Sequence, residues 1–155
     1  MIKRSNDRVW IKFPENDNFY LMGEGFSHLE EVCKTVFLET PRIGSTLCAQ
    51  EILYHVAYLE FEGYRDFSSS VHDLLYRRYM TRGKDAEVTL IIGNQEDNMT
   101  AGSTAARRVK GQVCLENPGT GEGPLGSFFK GTVRFTSQPE KGLYIIDEQA
   151  FFPSP

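Results

Sequence analysis

The chain has 155 residues, a length that predicts one domain over residues 1–155 with flexible ends at 1–7 and 153–155. A net charge of −4 and a pI near 5.4 argue against tight wrapping of nucleic acid, which requires a clustered basic surface. No apolar run reaches the ~20 residues that span a bilayer, and the polar N-terminus lacks the apolar stretch of a signal peptide. We therefore expect a cytoplasmic protein that does not enter a membrane.

The three cysteines, Cys33, Cys48 and Cys114, are odd in number and widely spaced. They include no Cys-x-x-Cys pair, the spacing typical of redox and zinc sites. We expect reduced thiols that behave as small apolar residues, and neither disulfides nor metal ligands.

The first strands are predicted by alternation of apolar and polar residues at 9–13 and again at 19–22, where Gly23 and Gly25 end the second run. Residues 27–36 carry both a helical spacing and a β-rich composition, and we favour a strand for the latter half. Residues 39–50 contain Pro41 and Gly44 and have no clear period, which predicts a long loop or an extended hairpin.

Residues 53–61 alternate cleanly and predict a strand, with Tyr54, Val56 and Tyr58 on one face. A short helix over about residues 70–82 follows. Its predicted N-cap is Ser70, and Asp73 stands three residues later. The predicted buried stripe is Val71, Leu74, Leu75 and Tyr79, and Gly83 is the predicted helix stop.

Further strands are predicted at 87–92, 107–116, 128–136 and 143–152, separated by polar or glycine-rich loops. The total is seven to nine strands and one helix. This pattern predicts a mainly β protein, a two-sheet β-sandwich or barrel with one helix on its flank.

The reactive side chains form no recognisable catalytic or metal-binding pattern. His28, His55 and His72 lack the spacing that brings metal ligands together, and the doublet of His72 with Asp73 points in two directions on a helix. The glycine-rich stretch at 119–126 is not followed by Lys-Ser or Lys-Thr, so it lacks the sequence pattern of a phosphate-binding loop. We therefore expect no catalytic residue, cofactor or metal, and no enzymatic activity.

Two basic clusters remain, the first at Arg77, Arg78, Arg82 and Lys84, the second at Arg107, Arg108 and Lys110. Three interpretations are open: charges at a helix end and a strand edge, pairing with acidic residues across a subunit interface, and direct binding of nucleic acid. The last is disfavoured because aromatic residues are not interleaved at a stacking spacing.

The order of these parts resembles the tail tube protein (major tail protein) of long, flexible-tailed bacteriophages. The residues that carry the resemblance are the segment 20–25 (YLMGEG), the strand ending in 62–64 (EGY), the helix, the segment 83–86 (GKDA) before a strand, the segment 105–108 (AARR), and the last strands with 131–133 (GTV) and 151–152 (FF). It spans about residues 8–153 and includes no exclusive signature.

The resemblance implies a structural virion protein without catalytic residues or cofactors. It implies hexameric rings that stack into a hollow tube through which DNA passes without specific binding, assembled in the host cytoplasm with other phage tail proteins. The loop at 39–50 would contact the neighbouring ring. Interface residues expected on this basis, together with the basic clusters, are Glu39, Pro41, Arg42, Ile43, Leu47, Gln50, Arg77, Arg78, Arg82, Arg107 and Arg108.

Other functions fit the same strand pattern. One is another ring-forming tail component, such as a terminator or a distal tail protein, or a subunit like those of type VI secretion tubes. A more distant one is a small-ligand-binding β-barrel, which would require an apolar pocket with a few converging polar groups.

Overall fold

The computed structural model describes residues 9–15, 17–41, 43–44, 49–81, 87–93, 102–120 and 127–155. These residues form nine strands, one α-helix and one 3-10 turn. The strands are β1 (Val9–Lys12), β2 (Phe19–Leu21), β3 (His28–Thr40), β4 (Ala49–Tyr64), β5 (Glu87–Gly93), β6 (Ser103–Pro118), β7 (Phe128–Phe135), β8 (Glu140–Ile145) and β9 (Ala150–Pro153). The helix α1 is Ser70–Met80, and the 3-10 turn is Met22–Gly25.

All nine strands are joined by antiparallel pairing into one sheet. The order along the sheet is β2-β1-β5-β6-β7-β4-β3, and β8 and β9 extend from the first half of β6. The predicted mainly β fold with a single helix, and the predicted number of strands, are confirmed for the described residues.

One face of the sheet is apolar and forms the main core. Leu59 pairs with Val133, and Val133 pairs with Val113, so three buried side chains form a row across β4, β7 and β6. The sheet curls until β1 and β3, which are far apart in strand order, contribute side chains to the same core, among them Val9 and Leu29. The curled sheet therefore encloses its core as a barrel does.

Helix α1 covers one end of this core with Val71, Leu74 and Leu75. The predicted stripe is wrong at Tyr79, which is 43% exposed. The N-cap is Ser69 and not Ser70, because the Ser69 Oγ accepts the N–H of His72 at 3.4 Å. The helix ends at Met80, and the predicted stop at Gly83 lies outside the described residues.

A second, smaller core lies on the other face of the sheet, where Trp10 and Ile91 pack against Tyr144 of β8. The Trp10 and Tyr144 rings are 5.0 Å apart between centroids. Burial raises the pKa of Tyr144 to about 12.

Within the described part of the chain, no helix combines the length and apolarity needed to cross a membrane.

The segment at 39–50, predicted as a long loop or an extended hairpin, joins β3 to β4 as a hairpin. Strand pairing continues to Glu39 with Gln50 and Thr40 with Ala49, and residues 42 and 45–48 of the segment lie outside the described residues. Cys33 and Cys114 are free, as predicted, but both are exposed and neither is packed as a small apolar residue. Cys48 lies outside the described residues.

Candidate functional site

Strands β3 and β4 extend far beyond the rest of the sheet. Strand β7 pairs with β4 only from Tyr58 to Tyr64, so residues 49–57 have β3 as their single partner among the described strands. We call residues 33–57 the arm. Nine residues of β4 give it a length of about 30 Å.

The arm carries large apolar side chains that its own fold leaves in solvent. They are Phe37, Leu38, Ile43, Ile52, Leu53 and Tyr54, each at least 45% exposed. Leu53 is an extra residue in β4, because Val36 pairs with Tyr54 and Phe37 with Ile52. Such a bulge increases local twist and turns side chains out of the regular alternation.

The arm also presents unpaired backbone. Strand β3 lies at one end of the strand order, and the outer edge of its residues in the arm, 33–40, pairs with no other described strand. An exposed edge of this length, beside exposed apolar side chains, is a template for pairing with another chain. The arm is therefore the feature of the molecule most suited to association.

Polar contacts within the arm hold its two strands in register. The Thr35 hydroxyl and the His55 Nδ1 are 3.0 Å apart, and the Gln50 amide donates to Glu39 at 3.2 Å. These contacts stiffen a two-stranded ribbon that would be only marginally stable without neighbours.

A cavity of about 770 Å³ opens at the end of the core from which the arm projects. Its apolar walls include Val9, Leu29 and Ile92. Arg107 of β6 and Glu31 of β3 also line it, and the Arg107 Nη2 donates to both oxygens of the Glu31 carboxylate, at 2.8 and 2.9 Å. This ion pair joins β6 to β3, two strands that are not neighbours in the sheet.

The face of the sheet opposite the main core is polar along β3, β4, β7 and the second half of β6. Its charged residues are Glu30, Glu60, Glu62, Glu116, Lys34, Lys130 and Arg134, beside His28. The hydrogen bond from Lys130 to Glu62 and the nearby Glu116 raise the pKa of Lys130. Acidic groups outnumber basic ones on this face.

Cross-strand pairing brings His28, Glu30 and Glu60 together on the polar face, with ligand atoms within 4.8 Å of one another. The cluster is not recognisable in the sequence, because Glu60 lies thirty residues after Glu30 and joins it only through the register of β3 with β4. All three side chains are in contact with solvent, and an exposed cluster of this kind is commonly found without a metal. It does not by itself define a metal centre.

His72 is fully buried, and both of its ring nitrogens are bonded. The Asp66 N–H donates to Nδ1 at 3.0 Å, so the proton is on Nε2, which donates to the Gly25 carbonyl at 2.7 Å. The ring packs on Phe26 and Phe129, each 4.8 Å away between centroids. Burial lowers the pKa of His72, and the residue is a structural link between α1 and the 3-10 turn.

A second group of exposed apolar residues follows the arm in the chain, at the end of β4, in the loop after it and in the last turn of α1. We call Tyr64, Phe67, Tyr79 and Met80 the helix-end patch; each is at least 43% exposed. The Arg65 guanidinium stacks against Phe67 and Tyr76, which ties the loop before α1 to the helix.

The predicted interface residues are distributed as follows. Glu39, Pro41, Ile43 and Gln50 lie in the arm, while Arg42, Leu47 and Arg82 lie outside the described residues. Arg77 pairs with Asp73, Arg78 with Glu15, Arg107 with Glu31 and Arg108 with Glu140. The structure thus gives each described arginine of this set an acidic partner within the chain, and their role in an interface stays a prediction.

Of the six residues that carry the apolar surface of the arm, only Ile43 was among the interface residues predicted from the sequence, which lay within 39–50 and in the basic clusters. Phe37, Ile52 and Tyr54 alternate like ordinary strand residues, and nothing in the sequence tells that no layer covers them. What distinguishes these residues is that this part of β4, residues 49–57, pairs with β3 and not with β7. This difference appears only in the strand pairing and not in the sequence.

The chain matches no protein-family model, and a search of curated proteins returned no match.

Proposed function

We propose that the protein is a structural subunit that self-associates through its arm into rings, and that the rings stack into the tail tube of a long, flexible-tailed phage. The observation that carries the proposal is the arm, a 30 Å ribbon (about nine residues per strand) with six exposed large apolar side chains. Such a surface on a monomer favours aggregation unless a partner covers it.

The free edge of β3 supports the same proposal. Closed rings remove exposed sheet edges, because every edge meets the next copy. A ring of six copies, the number that the family resemblance implies, satisfies this condition if each β3 edge pairs with one neighbour. Residues 33–40 of β3, the part of the strand in the arm, offer backbone for such pairing.

The polar face of the sheet suits the inner wall of a tube. A conduit for DNA must not hold the phosphate backbone tightly, and acidic groups outnumber basic ones on this face. Six copies carry a formal charge of roughly −24. Duplex DNA would pass such a wall without specific binding.

The proposal is tested by making the arm polar. Phe37→Ser with Ile52→Ser removes an adjacent cross-strand pair from the exposed surface, while Phe152→Ser removes an equally exposed aromatic ring from β9 as the control. In sedimentation velocity, we expect the arm variant to remain a single subunit at concentrations where the wild type and the control associate. Association of the arm variant at wild-type concentrations would contradict the proposal.

A second function is favoured by one observation, the cavity of about 770 Å³ whose lining combines apolar side chains with the Arg107–Glu31 pair. Small-ligand sites combine these features, and the mouth of a β-barrel is a common position for them. A monomer whose melting temperature rises with medium-chain carboxylates, and which never associates, would support this ligand-binding function in place of the tube.

A single closed ring, as in a terminator or a distal tail component, would use the same arm and the same sheet edge. The length of the assemblies distinguishes a tail tube from a single ring, because a tube lengthens with protein concentration and a ring does not.

A further inference from the structure

We propose that the cavity of about 770 Å³ binds a small apolar carboxylate, whose charged end is held by Arg107 and Lys141 and whose hydrocarbon chain lies against the apolar walls. This inference goes beyond the proposed assembly and does not rest on it, because every residue of the site belongs to one copy of the chain. It also gives the second function a ligand class and named binding residues.

The cavity has the size and the walls of a small-molecule site. Its volume lies within the range of roughly 300–1,000 Å³ that is usual for such sites. The apolar residues Val9, Leu29, Leu59 and Ile92 line it, and each is at most 8% exposed and belongs to the main core. Strand pairing therefore holds the apolar wall in place before a ligand arrives, which lowers the entropy lost on binding.

Two basic side chains of the lining stand next to each other. Arg107 of β6 pairs directly across the strands with Lys141 of β8, and both line the cavity. Directly opposed residues have Cβ atoms about 5 Å apart, and like charges in this arrangement repel each other. Within the described part of the chain, Arg107 has Glu31 as its acidic partner and Lys141 forms no ion pair. An anion bound between the two cations would offset their repulsion.

The Arg107 guanidinium retains donors for such an anion. Both of its hydrogen bonds to Glu31 come from Nη2. Its Nη1 and Nε donate to no described residue. A guanidinium carries more N–H donors than one carboxylate uses here, so a ligand carboxylate can accept from Nη1 while Glu31 stays on Nη2.

The charge of the lining selects the sign of the ligand. Glu30 also contributes to the lining, but its carboxylate lies 3.3 Å from the His28 ring on the polar face. Among the described side chains at the cavity, this leaves Arg107 and Lys141 against the single carboxylate of Glu31. Such a balance favours an anionic head group over an ammonium group.

The ligand class is tested by isothermal titration calorimetry of the full chain. The ligands are octanoate, octylamine and octanol, which share a chain length and differ in the charge of the head group. We expect octanoate to bind more tightly than the other two, because it alone can accept from both cations. No binding of octanoate, or binding of octylamine or octanol that is equally tight or tighter, would overturn the inference.

The binding residues are tested with Lys141→Gln, which removes an exposed cation and no described ion pair. We expect its dissociation constant for octanoate to rise about tenfold. The matched control is Arg108→Gln, the next residue of β6, which pairs with Glu140 and is not part of the lining. The control should bind octanoate like the wild type, and equal losses in both variants would contradict the assigned residues.

A third variant, Glu31→Gln, is expected to bind more tightly. It removes the carboxylate that repels the ligand, while its amide oxygen can still accept from Arg107, so we expect octanoate to bind about fivefold more tightly. Damage to the fold would weaken binding, so a gain cannot come from misfolding, and weaker or unchanged binding would contradict the model. Sedimentation velocity reports on self-association separately, so a failure to bind octanoate would leave the proposed assembly standing.

Discussion

The imidazole of His72 accepts one hydrogen bond, donates another, and packs against two tilted phenylalanine rings. A protonated ring would place a second N–H against the Asp66 N–H and a charge in an apolar site. Burial for this reason lowers the pKa of His72 below its ordinary value of 6.5.

The pH dependence of stability follows from this shift. The pKa of His72 is lower in the folded state than in the unfolded state, so its contribution is complete above pH 6.5 and is lost as the pH falls through the folded pKa. In urea unfolding between pH 7.5 and 5.5, we expect His72→Gln to have a shallower pH dependence than the wild type. The control is His55→Gln in the exposed arm, and equal slopes in all three proteins would contradict the assignment.

Gly131 lies where β7 packs closely against the backbone of β6 and the side chain of Phe61. A Cβ built there would fall on the Cys114 carbonyl oxygen and lie 2.9 Å from the Phe61 ring. We expect Gly131→Ala to lower the free energy of unfolding by about 1–3 kcal/mol, the usual cost of overpacking. Thr132→Ala on the polar face serves as the control in chemical denaturation, and a smaller loss for Gly131→Ala than for the control would contradict this packing.

At the scale of elements, helix α1 shows what could be predicted from the sequence and what could not. The 3.6-residue period of Val71, Leu74 and Leu75 located the helix, because periodicity depends on neighbours in the chain. The cap was misplaced by one residue, since Ser69 and Ser70 are chemically identical and only backbone geometry distinguishes them.

The exposed apolar surface of the arm, unlike helix α1, could not be predicted from the sequence. Alternation predicted strands on both sides of 39–50, but whether a strand side chain is covered depends on pairing between distant segments. The cluster of His28 with Glu60 was missed for the same reason. The alternation of apolar and polar residues therefore predicted the strands, but it could not predict the exposed apolar surface of the arm.

Substitution of the two serines tests the cap directly. We expect Ser69→Ala to cost about 1 kcal/mol of stability, because the His72 N–H loses its acceptor. Ser70→Ala, in the first helical turn, is expected to change stability by no more than about 0.5 kcal/mol. Thermal unfolding of both variants measures the difference, and a larger loss for Ser70→Ala would restore the cap predicted from sequence.

The Arg107–Glu31 pair holds β6 against β3 across the cavity, and its side chains are 38% and 25% exposed. The Arg108–Glu140 pair is more exposed and has longer contacts. In double-mutant cycles with alanine, we expect a coupling of about 1 kcal/mol for the first pair and a few tenths for the second. Equal coupling energies for the two pairs would contradict a specific role of the Arg107–Glu31 pair in holding β6 against β3.

At the scale of the whole molecule, the exposed apolar side chains of the arm and the outer edge of residues 33–40 of β3 are the surfaces through which we propose that subunits associate. Its polar face and acidic charge suit a passage for DNA. Retention on duplex DNA at physiological salt would be inconsistent with that role, and we expect none.

The most direct test of self-assembly is negative-stain electron microscopy of the purified wild-type protein over a concentration series. Our account predicts six-fold rings at low concentration and hollow tubes of one uniform diameter at high concentration. Dispersed single subunits at every concentration would contradict it.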